Sequence, residues 1–205
     1  MHPLMKILLI SALYPPDIAD TARSVKELAQ RLRAQHTISI LTYGHIPEAI
    51  PDVHIITIQK KLRTLIRLIR FTHALWKHGR TVDVIYAVNG PSIELPLIFT
   101  SYFIRTPVVL YLGDERALCL TMTHPLLKVL LTSAIRASSK IISDSNASCV
   151  HVYTKSLPDK KNIVCHTPLL RPEILPFSIL PPDALTLYED SWNKYIALLN
   201  KTIFI

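Results

Sequence analysis

Short, strongly apolar runs alternate with amphipathic helical stretches along most of the chain, and this alternation constrains the fold more than any other feature. Three of the runs, VDVIYAV, PVVLYL and KIIS, are almost continuously apolar. Such runs are typical of parallel strands that helices cover on both faces of the sheet. The sequence therefore predicts an α/β fold with a single doubly wound parallel sheet, followed by an amphipathic C-terminal helix.

The alternation predicts seven strands and six helices. In the helices, the apolar residues recur at intervals of three and four. The strands are predicted at Lys6–Ser11, Thr37–Thr42, His54–Ile58, Val82–Val88, Pro107–Leu112, Lys140–Ser143 and Asn162–His166. The helices are predicted at Thr21–Ala34, Lys60–His78, Pro91–Ile104, His124–Ala137, Asn146–Lys155 and from Asp183, as its N-cap, to Ile205.

The composition of the sequence changes after His166, where proline becomes frequent. Five prolines lie between Thr167 and Asp183, and proline excludes regular helix and central strand. We therefore predict three parts: a domain over residues 1–168, a proline-rich linker over 169–182 and a closing helix over 183–205. The apolar stripe of that helix comprises Leu185, Tyr188, Trp192, Tyr195, Leu199 and Ile203.

The net charge indicates the class of partner, and the cysteines indicate the compartment. The 23 Lys and Arg residues against 15 Asp and Glu give a formal net charge of +8, which favours anionic partners. The three cysteines are widely spaced and form no CxxC pair, so they predict neither a zinc site nor a disulfide framework and fit a reducing cytoplasm. No metal site is predicted.

The segment KKLRTLIRLIRFTHALWKHGR combines a basic and an apolar stripe. The basic stripe comprises Arg63, Arg67, Arg70 and Lys77, and the apolar stripe comprises Leu62, Leu65, Ile66, Ile69 and Trp76. One interpretation is an ordinary surface helix with a solvated basic face. The other is docking on an anionic membrane surface, with the arginines at the headgroups. Nucleic acid is not predicted, because no surface aromatics are interleaved and no binding motif occurs.

Five separated motifs are similar, in order and spacing, to those of one family. The opening MKILLISALYPPDIADTARSVKELAQRL, with Tyr14, Pro15, Pro16, Arg23, Glu27 and Leu28, resembles the start of family-4 glycosyltransferases of the GT-B fold. VDVIYAVNGP, PVVLYLGDE, KIISDSNAS and DKKNIVCHTP are similar to later segments of that family's N-terminal domain. The resemblance covers about Met5 to Pro168. It implies a Rossmann-like, acceptor-side GT-B half.

The tail carries the same resemblance. YEDSWNKYIALLNK is similar to the family's C-terminal helix, which crosses back onto the N-terminal domain. The linker stands where the family has its whole donor-binding domain. The resemblance therefore implies an acceptor-side domain with its closing helix and without the donor half.

The resemblance implies a site at the carboxyl ends of the strands, where open α/β sheets place ligands. Its candidate substrate-binding residues are Pro16, Ala19, Asp20, Arg23, Tyr86, Asn89, Gly113, Glu115 and Ser145. Asp114 keeps the family's acid and is the candidate catalytic residue. Position alone also allows simpler interpretations of three of these sites. Asp114 would be a turn or cap residue, and Asp20 or Thr21 would cap the first helix. Ser145 would cap a later helix.

Several departures from the family's pattern affect the donor side. Ala19-Asp20 replaces a Gly-Gly pair whose backbone approaches the donor phosphates, and a carboxylate there would repel a diphosphate. The family's two strand-end histidines fall on Tyr86 and Gly113. Its Glu-x7-Glu donor motif is absent, because no two glutamates are eight residues apart. The resemblance thus implies no cofactor in this chain, and a sugar nucleotide only where a partner completes it.

Three functional hypotheses remain open at this point. In the first, the chain is the acceptor-side half of a glycosyltransferase completed by a donor-binding subunit, and the resemblance includes lipid-linked molecules among its acceptors. In the second, it is a catalytically inactive descendant that binds a membrane or a partner. In the third, it is an inactive truncation or internal-deletion product. Ala19-Asp20 and Gly113 favour the second over the first. No uncharged run reaches the ~18 residues of a membrane span. The expected location is the cytoplasm, peripheral at the inner face of the membrane.

Overall fold

The sheet of the protein is all-parallel and has seven strands. The computed structural model describes residues 4–144, 162–165 and 182–202. In chain order the strands are β1 (Lys6–Ser11), β2 (Thr37–Tyr43), β3 (His54–Ile58), β4 (Val84–Val88), β5 (Val108–Leu112), β6 (Lys140–Asp144) and β7 (Asn162–Cys165). Across the sheet they lie in the order β3-β2-β1-β4-β5-β6-β7, and every neighbouring pair is parallel.

Helices connect and cover these strands. They are α1 (Asp20–Leu32), α2 (Thr64–Gly79), α3 (Pro91–Ser101), α4 (Glu115–Thr123), α5 (Pro125–Ala137) and α6 (Pro182–Thr202). The predicted α/β fold, with one doubly wound parallel sheet and a C-terminal helix, is confirmed. The bounds predicted for β1 and β3 are those that the structure has.

The core consists of two layers, one on each face of the sheet. Successive residues of a strand point to opposite faces, so β1 sends Leu8 and Ile10 into one layer and Ile7 and Leu9 into the other. The first layer is completed by α2, α3, α4 and α5. The second is completed by α1 and α6. The C-terminal helix is therefore part of the core.

The stripe that holds α6 against the sheet was predicted from spacing. Tyr188, Trp192, Tyr195 and Leu199 follow one another at intervals of four, three and four residues, which places them on one side of a helix. All four are buried. This confirms that part of the predicted stripe within the described side chains.

Some elements differ from the prediction. Helix α4 was not predicted, because only Leu118 and Thr121 of its described side chains are buried, which is too short a pattern to recognise. Helix α2 begins at Thr64 and not at Lys60, and α6 begins at Pro182, so Asp183 is not its N-cap. The helix predicted at Asn146–Lys155 and most of the predicted linker lie outside the described residues, and the domain boundaries stay a prediction.

Two further observations concern the cysteines and the length of the helices. The structure holds Cys119 in a disulfide, a bond that the spacing of the cysteines did not indicate, so that spacing no longer argues for a reducing compartment. Spacing alone could not reveal the bond, because cysteines far apart in sequence meet only in the fold. None of the described helices is both long and apolar enough to cross a bilayer.

Candidate functional site

The carboxyl edge of the sheet has a topological switch point between β1 and β4. From β1 the chain proceeds outward through β2 to β3, and it then returns to pair β4 with the other side of β1. The connections therefore leave β1 and β4 in opposite directions. Ligands of open α/β sheets bind in the crevice that such a divergence leaves.

A cleft of about 360 Å³ opens at this edge, over the ends of β1, β2 and β3. Its lining residues come from the loops that follow these three strands and from the last residues of β2. They are Tyr14, Pro15, Pro16, Asp17, Thr42, Tyr43, Gly44, His45, Ile46, Pro47, Gln59, Lys60 and Lys61. The peptide bond between Pro15 and Pro16 is cis. Pro16, which was predicted to bind substrate, therefore lies in the wall of this cleft.

Two tyrosines form part of the wall of the cleft, and their hydroxyl groups are already bonded. Tyr14 donates from its hydroxyl to the carbonyl oxygen of Glu48 at 3.2 Å, and Tyr43 donates to that of Ser92 at 2.9 Å. Burial, with a smaller effect of the Glu48 carboxylate, raises the pKa of Tyr14 to about 12. The phenol of Tyr14 therefore stays neutral and acts as part of the scaffold.

Asn89 ties together the loops that follow β4 and β5. Its side-chain oxygen accepts from the backbone N–H of Asp114 at 2.8 Å, and its side-chain nitrogen donates to the carbonyl oxygen of Asp114 at 3.1 Å. Asn89 is buried. This predicted binding residue thus fixes the position of the predicted catalytic one.

Asp114 begins α4 as its N-cap. One carboxylate oxygen, Oδ1, accepts from the backbone N–H of Ala117 at 3.0 Å, which satisfies one of the free donors of the first helical turn. The capping alternative is confirmed, and the catalytic role of Asp114 stays a prediction. Glu115 is the first residue of α4, but its side chain lies outside those described, and Ser145 lies outside the described residues altogether.

Two predicted binding positions are closed by aromatic rings. Tyr86 is buried, and its hydroxyl lies 2.6 Å from that of Tyr195 in α6. At Gly113, an added Cβ would lie 2.1 Å from the ring of Tyr111. Tyr86 thus contacts the closing helix, and its predicted contact with substrate stays a prediction. Gly113 is a residue against which a neighbouring ring packs.

The start of α1 differs from the predicted cap. The N-cap position is Ala19, which makes no side-chain bond, and Asp20 is the first helical residue. Asp20 forms an ion pair with Arg23, and an acid in the first turn complements the positive end of the helix dipole. The prediction that Asp20 or Thr21 caps the helix was therefore wrong. Two predicted binding residues, Asp20 and Arg23, neutralise each other's charge.

Glu94 is a residue of this edge that the sequence analysis missed. It lies in the first turn of α3, is 1% exposed, and accepts the backbone N–H of Gly90 through Oε1 at 3.0 Å. Gly90 has a φ of +148°, which side chains other than glycine rarely tolerate. Burial raises the pKa of Glu94 to about 7, although the Gly90 N–H acts to lower it. The sequence feature that could have indicated a buried carboxyl group here is a single acid in an otherwise mostly apolar helix.

The basic helix α2 exposes both of its predicted stripes. Its buried residues are Phe71, Leu75 and Gly79, whereas Leu65 is 70% and Ile69 is 60% exposed. Together with α3, these apolar residues form an open groove of about 710 Å³. It is lined by Leu65, Leu68, Ile69, Thr72, His73, Trp76, Leu95, Phe99, Thr100 and Phe103. An ordinary surface helix turns its apolar side chains inward; α2 does so with Phe71 and Leu75 but leaves Leu65 and Ile69 of its predicted apolar stripe exposed as well.

The four predicted membrane-surface residues differ in their surroundings. Arg63, Arg70 and Lys77 are exposed. Arg67 is partly buried and places its guanidinium 5.3 Å from the centre of the Tyr43 ring. Three of the four basic side chains therefore remain in solvent beside the groove, and the fourth contacts a wall residue of the cleft.

Comparison with solved structures identifies the fold. HepE of Anabaena, crystallised with UDP and glucose, is 21% identical, with a TM-score of 0.57, over 80% of this chain and 45% of that one. A UDP-N-acetylglucosamine 2-epimerase is 9% identical, with a TM-score of 0.52, over 79% of this chain and 48% of that one. The chain thus spans less than half the length of these proteins and has the fold of a partial GT-B protein. The sequence matches no family model and no curated protein.

Proposed function

We propose that this chain is the acceptor-binding half of a family-4-type glycosyltransferase, and that a separate polypeptide supplies the half that binds the sugar nucleotide. The cleft over β1, β2 and β3 carries the proposal, because it is a cavity at the ligand-binding edge of a GT-B half. In this arrangement the acceptor occupies the cleft. The donor approaches from the partner across the ends of β4 and β5.

The environment of the strand ends supports a donor site made by a partner. The ring of Tyr111 fills the space beside Gly113, and Tyr86 is engaged with Tyr195. Asp20 stands where the family has a glycine whose backbone approaches the donor phosphates, and its side chain is paired with Arg23, so that close backbone approach is lost. Stabilisation of the leaving diphosphate, which is usually the largest catalytic term, would then have to come from the other polypeptide.

Asp114 is the residue of this chain that we propose for the chemistry. Its Oδ1 is used by the cap at Ala117, which leaves Oδ2 to accept a proton from an acceptor hydroxyl. Asn89 holds the backbone of Asp114 by two hydrogen bonds, so the carboxylate has a defined position. Pro16, as a wall residue of the cleft, would contact the acceptor.

A sugar-transfer assay tests the proposal. The purified chain is assayed alone and after mixing with the product of a neighbouring gene that carries a Glu-x7-Glu domain. We expect no transfer by either polypeptide alone, transfer by the mixture, and loss of transfer with Asp114→Asn. Asparagine is as good an N-cap as aspartate, so that variant keeps the helix start and removes only the carboxylate. Transfer by the chain alone would overturn the proposal.

The groove between α2 and α3 favours a second candidate function, docking on an anionic membrane by a catalytically inactive descendant. Phe99 and Phe103 are 56% and 72% exposed beside the apolar residues of α2. The first turn of α2 contains no acid, and the helix itself has none. Apolar and aromatic side chains beside arginines are typical of surfaces that lie in the headgroup region.

Vesicle co-sedimentation tests this candidate. We expect the chain to bind vesicles of phosphatidylcholine with phosphatidylglycerol more tightly than pure phosphatidylcholine, and Arg63→Glu with Arg67→Glu to weaken that binding. Lys128→Glu with Lys194→Glu changes the charge equally at exposed positions elsewhere and serves as the control. Equal binding by both double variants would show that the basic helix does not contribute to vesicle binding.

A further inference from the structure

We propose that the cleft over β1, β2 and β3 binds a phosphate monoester, so that the acceptor is a phosphorylated molecule. The inference rests on the proposed function, in which this cleft is the acceptor site. It names a binding chemistry that the resemblance to glycosyltransferases does not supply, and the residues that carry it, His45, Lys60 and Lys61, follow β2 and β3.

Basic residue types outnumber acidic ones among the lining residues of the cleft. Lys60, Lys61 and His45 converge on it from two loops, and Asp17 is the one acid among its lining residues in the described part of the chain. Asp17 forms an ion pair with Lys60. Lysine is a common phosphate ligand, as a compact point charge with three donors. The pair leaves Lys61 as a basic side chain that no described carboxylate neutralises.

The beginning of α2 adds further positive potential. The helix starts at Thr64, three residues after Lys61, with no acid in its first turn and no side-chain bond at its N-cap, Arg63. Arg67, one turn later, donates to the carbonyl oxygen of Lys60 at 3.4 Å and contacts the ring of Tyr43. The positive end of a helix dipole and a guanidinium thus lie beside the wall of the cleft.

Thr42 adds a buried hydroxyl, unpaired among the side chains that the structure describes, to the wall of the cleft. Its side chain is 0% exposed, it belongs to the lining, and its hydroxyl has no hydrogen-bond partner within the described residues. Buried hydroxyls are usually paired, and an unpaired one is costly. The hydroxyls of Tyr14 and Tyr43 are engaged elsewhere, so among these three wall residues Thr42 carries the hydroxyl without a partner in the described part of the chain.

Calorimetric titration with glycerol 3-phosphate, at low salt and with glycerol as the uncharged control, tests the proposal. We expect binding of the phosphate alone, weakened about tenfold by Lys61→Gln, as loss of one charge-assisted contact predicts. Asp17→Asn should tighten binding, because Lys60 loses its competing carboxylate. Lys128→Gln, on the exposed surface of α5, should leave it unchanged. Equal effects of Lys61→Gln and Lys128→Gln would overturn the proposal.

Vesicles distinguish a lipid headgroup from a soluble phosphate as the source of the ligand. Phosphatidic acid presents a monoester and phosphatidylglycerol a diester, and the two are compared at matched surface charge. If the chain prefers phosphatidic acid and Lys61→Gln abolishes that preference, the site binds a lipid-borne phosphate. If the chain binds glycerol 3-phosphate, the site binds a soluble phosphate. No preference and no soluble binding would exclude the site. The transfer assay with the donor polypeptide would still decide the proposed function separately.

Discussion

Arg31 of α1 holds Glu189 of α6 through two parallel hydrogen bonds, from Nη1 and Nη2, each 2.9 Å long. The same guanidinium donates from Nε to Glu27 at 2.7 Å, and it lies 5.3 Å from the centre of the Trp192 ring. The pair of Glu27 and Arg31 was visible in the sequence as an i, i+4 spacing. Its extension to a helix 158 residues further along the chain was not.

This bidentate contact should contribute measurably to the docking of α6. A double-mutant cycle with Arg31→Met and Glu189→Gln, measured by denaturant unfolding, should give a coupling energy of about 1 kcal/mol, the upper end for partly exposed pairs. High salt should reduce it only modestly, because Arg31 is largely shielded. A coupling energy indistinguishable from zero would mean that the aromatic stripe alone holds the helix.

Trp192 should be the largest single contributor from α6. Its side chain is 1% exposed and packs edge-on against Tyr195, with ring centres 6.1 Å apart. Replacing Trp192 with alanine should lower the free energy of unfolding by about 3–5 kcal/mol, as for other buried large side chains. Asn193→Ala, at the exposed neighbouring position, is the control and should change it by less than about 0.5 kcal/mol.

A side chain at Gly113 should be destabilising although the backbone there is unstrained. An added Cβ meets three atoms of the buried Tyr111 ring at 2.1 to 2.5 Å, so Gly113→Ala should cost about 1–3 kcal/mol through overpacking. Gly44→Ala is the matched control, because nothing lies within 4 Å of its Cβ position. Tyr111→Leu should reduce the cost of Gly113→Ala, and an undiminished cost would disprove the role given to the ring.

Glu94 should make stability depend on pH. Its folded pKa of about 7 lies above the ordinary value of 4.5, so its stabilising contribution is complete below pH 4.5 and is lost as pH rises through 7. The difference in unfolding free energy between the wild type and Glu94→Gln should therefore fall by up to about 3 kcal/mol between pH 4.5 and 8. Subtracting the variant cancels the titration of the histidines. A difference that is constant with pH would contradict the assignment.

The sequence was sufficient to predict the sheet because the signals that determine it are local. Central strands such as VDVIYAV are apolar on both faces, and α6 repeats its buried residues at helical spacing. Burial in a doubly wound sheet requires both patterns. Helix α4 carries too few buried residues to show such a pattern, and it was missed.

The candidate site depended on contacts that no local pattern encodes. Spacing separated the two stripes of α2, but only the fold shows that Phe71 packs on Tyr43 of β2 in the core while Leu65 stays exposed. Tyr86 was matched to a ligand-facing position, yet α6 returns to cover it. Glu94 was overlooked although its contact with Gly90 spans only four residues, because a single acid in an apolar helix gives no sign in the sequence that it is buried. The first two of these differences arise between elements that are distant in the sequence.

The central claim is that this chain binds an acceptor and that the donor site belongs to another polypeptide. Calorimetric titration with UDP- and GDP-sugars tests this most directly, first on the chain alone and then on its mixture with the Glu-x7-Glu polypeptide. The account predicts no binding by the chain alone and, in the mixture, binding tighter than that of the polypeptide by itself. Tight binding by the chain alone, or a mixture that adds nothing to the polypeptide, would contradict it.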